Sequence, residues 1–168
     1  TILLEEAAES WANPPDIVLV QAGVGGLAAA VACWLLHHFG DSVPAMVSCE
    51  PANAACVLES LRAGRPLVLG GSLETIMAGL SSGTVSAIAW PVLRARLRAA
   101  VAIDDETCRR TVYKLSHPGP GDPLIVAGES GACGIASLDA IMQHQDFQPL
   151  REQLGLGPAS RVLAINTE

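Results

Sequence analysis

The sequence predicts an α/β fold: a three-layer sandwich with a mostly parallel sheet and helices on both faces. Three observations carry that expectation. Short apolar runs without polar alternation, at 16–20 and 45–49, read as strands buried on both sides. Longer helical stretches separate them, so strand and helix alternate along the chain. Half of the 168 residues are hydrophobic and only 16% are charged, enough apolar material for one packed core.

Taken in order, residues 1–12 set Ile2, Leu3 and Leu4 among Glu5, Glu6 and Glu9, the pattern of a short amphipathic helix that Asn13-Pro14-Pro15 ends. The strand at 16–20 feeds a glycine-rich turn, and the next helix runs to Phe39 before Gly40 stops it. A second strand at 45–49 ends at Glu50-Pro51, followed by a helix over 52–62. Residues 67–69 read as a third short strand, with Ser72 as the cap of a helix reaching 76–78. A helix over 87–98 carries Pro91 in its first turn. The run 101–103 is strand-like, and Asp104 is placed to cap the helix after it. A loop at 116–123, a short apolar run at 124–127, helices at 131–143 and 147–154, and a strand at 161–165 complete the pattern.

Composition excludes several classes. The formal charge is −7, and Arg94, Arg96 and Arg98 form the one basic cluster, which argues against nucleic-acid binding. No apolar run is long enough to span a bilayer or shaped like a signal peptide, so a cytoplasmic setting is expected. Cys33, Cys49, Cys56, Cys108 and Cys133 are odd in number and widely spaced, which reads as small core residues rather than a disulfide framework or a zinc site. Lys114 is the sole lysine.

The strongest chemical signal is the turn after the first strand: Gly23, Val24, Gly25, Gly26 and Leu27, leading into a helix. Amide N–H groups at a helix start point outward unpaired, and the helix dipole makes that end electropositive. Glycines let such a backbone close around phosphate oxygens without any basic side chain. The same residues also match a dinucleotide fingerprint, Gly23-x-Gly25-x-x-Ala28, with Glu50 at the next strand end as a ribose-binding acid. A third reading has the glycines only packing helix against strand.

Several stretches carry a family resemblance: Gln21-Ala22-Gly23-Val24-Gly25-Gly26, Glu50-Pro51, Thr75-Ile76-Met77-Ala78-Gly79-Leu80, Gly128-Glu129-Ser130-Gly131-Ala132, and Arg161-Val162-Leu163-Ala164-Ile165-Asn166-Thr167-Glu168. In this order the chain resembles the diaminopropionate ammonia-lyases, which are fold-type-II, tryptophan synthase β-like enzymes that use pyridoxal 5′-phosphate (PLP). The resemblance implies an α,β-elimination of 2,3-diaminopropionate to pyruvate and ammonia. It implies that Gly23, Val24, Gly25, Gly26 and Leu27 hold the cofactor phosphate through main-chain N–H groups. It also implies that Asn166 or Thr167 faces the pyridine nitrogen, with Thr167 favoured for its hydroxyl.

Under the same resemblance, residues 1–168 form a single domain, most of the C-terminal cofactor-binding part of a larger homodimeric enzyme. The Schiff-base lysine then belongs to an N-terminal half absent here, no catalytic residue lies in this chain, and the chain alone is inactive. Some relatives bind a divalent cation after the second strand. Glu50 and the Ala54 carbonyl correspond, but Cys56 stands where a second carboxylate is needed, so no metal is expected. Alternatives to the lyase are a dinucleotide-binding domain of the NAD/FAD type, or a non-catalytic fragment that keeps the fold.

Overall fold

Four strands, β1 (Ile17–Gln21), β2 (Ala45–Pro51), β3 (Leu97–Ile103) and β4 (Val162–Ala164), form one sheet in the order β3-β2-β1-β4, with every neighbouring pair parallel. This computed structural model describes residues 2–167. Thr1, at the start of the first expected helix, and Glu168, at the end of the last landmark stretch, lie outside the described residues. β1 occupies the centre: Ile17 pairs with Ala45 of β2 on one side and Val162 of β4 on the other.

The strands are apolar without alternation because both faces are covered. Side chains of successive residues in β1 point to opposite sides. Val18 and Val20 join Met46 in a core with Leu4 of α1 (Ile2–Glu9), Val31 and Leu35 of α2 (Gly26–Phe39), Val57 of α3 (Cys56–Ala63) and Leu93 of α4 (Ala89–Arg96). Ile17 and Leu19 join Val47, Cys49, Val101 and Ile103 in a second core, against Cys108 of α5 (Asp105–Ser116) and Ala132, Ala136 and Ile141 of α6 (Glu129–Gln143). Leu150 and Leu154 of α7 (Gln148–Leu154) pack at its margin. Helices therefore cover both faces, as the alternation predicts. None of the described helices is long and apolar enough to cross a membrane.

Local signals act where expected. Asp104 Oδ1 accepts the Thr107 amide at 2.7 Å and caps α5. Gly40, at φ 55°, ends α2. Other expectations differ from the structure. Residues 67–69 form no strand; Val68 makes one isolated antiparallel bridge to Thr84. Ser72 starts no helix, because its hydroxyl accepts from Glu74 N two residues on, a local turn, while the Ile76 amide is taken by the Asp105 carboxylate. The apolar run 124–127 lies outside the sheet: the Ile125 amide donates to Leu115 O, and Val126 O accepts from the Asn166 side chain. Cys33 is exposed on α2 and is not a core residue, while the other four cysteines are buried.

Candidate functional site

β2 and β3 lie on one flank of β1 and β4 on the other, so the loop leaving β1 opens where the strand order reverses. In open α/β sheets, ligands bind at such a point, outside the carboxyl ends of the strands. A cleft of about 260 Å³ occupies it, lined by residues 21–27 together with Gly79, Leu80, Ser130 and Thr167. No charged side chain is among these. A hollow of about 320 Å³ beside Trp11, Pro15 and Arg161 lies at the amino ends of β1 and β4, away from this point.

The loop backbone has a defined polarity. Its carbonyls are committed to the protein: Gly23 O accepts from Cys56 Sγ at 3.3 Å, Val24 O from Ser86 N at 2.8 Å, and Gly25 O from Ala29 N at 2.9 Å. Its amides are not. Those of Gly23, Val24, Gly25, Gly26 and Leu27 donate to no protein acceptor among the described residues. Five N–H groups without a protein acceptor thus stand at the positive end of a 14-residue helix, on residues that line the cleft.

Each glycine has its own geometric reason. Gly25 adopts φ 87°, in the left-handed region, and a Cβ there would meet Leu93 Cδ1 at 2.6 Å. A Cβ on Gly23 would lie 3.3 Å from Gly79 O, so the loop and the Ala78–Leu80 turn run close together. A Cβ on Gly26 meets nothing within 4 Å; the space above it is open. Ser130 Oγ accepts the Gly79 amide at 3.0 Å and ties that turn to the start of α6. A Cβ on Gly134 would be 3.4 Å from Leu19 O, so α6 lies close over β1.

At the other wall, Thr167 Oγ1 accepts from Gln21 Nε2 at 2.9 Å. Asn166 Nδ2 donates to Val126 O at 3.1 Å, and Asn166 is not among the cleft residues, whereas Thr167 is. The structure thus brings Thr167 together with the glycine loop. Gln21, Gly79, Leu80 and Ser130 also line the cleft, though sequence reasoning assigned them no role. One signal pointed to Gln21: it is the single polar residue in the buried strand Ile-Val-Leu-Val-Gln.

Glu50 is fully buried, and its carboxylate accepts the Val57 and Leu58 amides at 2.7 and 2.8 Å, which starts α3. Burial pushes its pKa up to about 7, against the pull of those two amides. Both its oxygens are committed to backbone, so it cannot serve as the ribose-binding acid of a dinucleotide site. Cys56, beneath the loop, has its thiol pushed up to about 11 by burial, so it is held as S–H and donates to Gly23 O. Cys133 is also raised by burial and is no activated nucleophile. Lys114, in the last turn of α5, pairs with Asp139 at 2.7 Å, and His38 stacks on Trp34; neither lines the cleft.

The arrangement suits a phosphate monoester: a dianion held by main-chain amides, with an aromatic or amide-bearing body between the loop and Thr167. Comparison with known proteins gives the family. The family described as "Pyridoxal-phosphate dependent enzyme" matches residues 1–168. The diaminopropionate ammonia-lyase of Salmonella typhimurium is 32% identical over 167 residues, 98% of this chain and 41% of its own length. That of Escherichia coli K12 is 34% identical over 169 residues, 99% of this chain and 42% of its own. A crystal structure of the E. coli enzyme in complex with an aminoacrylate-PLP azomethine reaction intermediate superposes with a TM-score of 0.86 at 32% identity, covering 99% of this chain and 42% of that one. The chain thus spans about two fifths of the length of these relatives. From the sheet, the loop polarity and these matches together, the chain belongs to the pyridoxal-phosphate dependent enzymes.

Proposed function

We propose that this chain supplies the phosphate cradle and the ring-nitrogen contact of a PLP-dependent α,β-eliminating ammonia-lyase, acting on a small amino acid of the 2,3-diaminopropionate type and yielding pyruvate and ammonia. In this reading, residues 1–168 are one domain of a larger, homodimeric protein whose other part contributes the Schiff-base lysine. The observation that carries it is the opposed polarity of the 23–27 loop, with three carbonyls bonded to protein and five amides left for the cleft.

When bound, PLP supplies an electron-withdrawing ring that stores the electron pair left by Cα deprotonation, while the protein supplies binding and orientation. Gly23 to Leu27 bind the phosphate without a counter-cation, so the anion's position is set by backbone geometry alone. Gly79 and Leu80, held by Ser130, wall the cleft opposite the loop. Thr167 presents a neutral hydroxyl to the ring nitrogen and leaves that nitrogen unprotonated, a setting suited to elimination. No lysine lies in the cleft, so the amine that carries the cofactor comes from outside these residues.

The test uses pyridoxine 5′-phosphate, which has the ring and phosphate of PLP without the aldehyde, and follows thermal unfolding by circular dichroism. A ligand bound only by the folded chain raises its stability by about 2.7 kcal/mol at a hundredfold excess over Kd. The wild-type chain should be stabilised by this ligand and unmoved by NAD. Gly26→Asp has room for its side chain but places a carboxylate against the anion, so it should fold and lose the ligand shift. Stabilisation by NAD alone, or an undiminished shift in Gly26→Asp, would reject the cradle.

A further inference from the structure

Gln21 is the last residue of β1, only 3% exposed, and its Nε2 donates to Thr167 Oγ1 at 2.9 Å. Its Oε1 is buried with no hydrogen-bond partner among the described residues. Both side chains line the cleft above the glycine loop. A threonine hydroxyl has one proton to give and two lone pairs with which to receive. With the carboxamide N–H on one lone pair, the hydroxyl proton points away from Gln21 and is left to donate elsewhere. The opposite carboxamide orientation would leave both N–H donors without a protein acceptor, against one N–H and the carbonyl oxygen in the orientation seen, and an orphaned carbonyl is the better tolerated of the two. The polarity of the pair is therefore set from the Gln21 side.

We propose that Gln21 is a positioning residue that holds the Thr167 hydroxyl as a hydrogen-bond donor toward the cofactor's ring nitrogen. This rests on the reading that the cleft takes PLP with Thr167 against that nitrogen. Thr167 is exposed and belongs to the short stretch after β4, so without a buried anchor its side chain would rotate freely. Gln21, at the end of the central strand, is that anchor. An aliphatic residue there would pack as well but leave the hydroxyl free to turn either its proton or a lone pair toward the ligand.

The experiment compares pyridoxine 5′-phosphate with its 1-deaza analogue, in which C–H replaces the ring nitrogen, by calorimetric titration of the chain and its variants. Wild type should prefer the nitrogen-bearing ligand by about fivefold to tenfold, the worth of one hydrogen bond. Thr167→Val and Gln21→Met should each bring the ratio to about one, Thr167→Ser should keep it, and the double variant should add nothing further. Gln21→Glu keeps the shape, but its carboxylate accepts the hydroxyl proton, so its ratio should also collapse; it serves as the second probe if the methionine variant is misfolded by circular dichroism. An unchanged ratio in folded Gln21 variants, alongside a lost one in Thr167→Val, would overturn the role of Gln21 and leave the cofactor reading intact. A wild-type ratio of one with both ligands bound would overturn it as well. Failure of wild type to bind either phosphate ester would remove the cofactor reading itself.

Discussion

Gly25 and Gly26 are neighbours in one loop, yet their missing side chains answer to different constraints. At Gly25 the backbone is left-handed, and the space a Cβ would take is filled by Leu93. Gly25→Ala should therefore destabilise the fold by about 2–3 kcal/mol, combining the left-handed penalty with overpacking. Urea unfolding checks this, and a loss under about 0.5 kcal/mol would mean the loop relaxes at little cost. At Gly26 nothing is within reach, and an aspartate in the first turn complements the helix dipole. The same substitution that harms the proposed anion site is thus tolerated by the fold. A glycine motif read from sequence cannot separate these cases; the side chain of Leu93, some seventy residues away, decides between them.

At the scale of the element, α3 begins where Glu50 places two carboxylate oxygens on the Val57 and Leu58 amides. That bond explains why the helix expected over 52–62 splits into a 3₁₀ turn, Ala52–Ala54, and a helix starting at Cys56. It also predicts a pH dependence. Burial raises the folded-state pKa of Glu50 from 4.5 to about 7, so between these values the folded protein binds more protons than the unfolded chain. The stabilisation is fully present below about pH 4.5 and is lost as pH rises toward 7, a change of roughly 3 kcal/mol for a shift of that size. Denaturation measured from pH 4.5 to 8 should show this fall in wild type relative to Glu50→Gln. Parallel curves for the two proteins would mean that Glu50 titrates as it does in the unfolded chain.

At the scale of the whole molecule, parallel βα units set the carboxyl edge of the sheet against its amino edge, and chemistry divides accordingly. The glycine loop, Ser130 and Thr167 meet at the carboxyl edge. Lys114 pairs with Asp139, nine residues further along α6 than Ser130, about 13 Å at the rise of an α-helix. The chain alone should therefore form pyruvate from 2,3-diaminopropionate with PLP no faster than buffer does, and Lys114→Met should change nothing. Turnover by the chain that disappears in Lys114→Met would contradict this division.

Much of the architecture was legible in the residues themselves. Uninterrupted apolar strands require cover on both faces, Asp104 and Gly40 mark helix ends through local bonds, and glycines between a strand and a helix mark the turn that joins them, all of it short-range physics that a sequence carries directly. What the sequence could not decide were outcomes set by partners distant in the chain. The Asp105 carboxylate takes the Ile76 amide and prevents a helix after Ser72, and the Asn166 side chain occupies Val126 O instead of facing the cleft. Glu50, an equal candidate for a ribose-binding acid in sequence, is excluded from that role only by the backbone folded around it. Gln21 and Thr167 stand 146 residues apart, and their hydrogen bond exists because β1 and β4 are adjacent in the sheet. Local propensity and periodicity are properties of neighbours along the chain, whereas the satisfaction of a buried polar group depends on whichever residue tertiary packing brings to it.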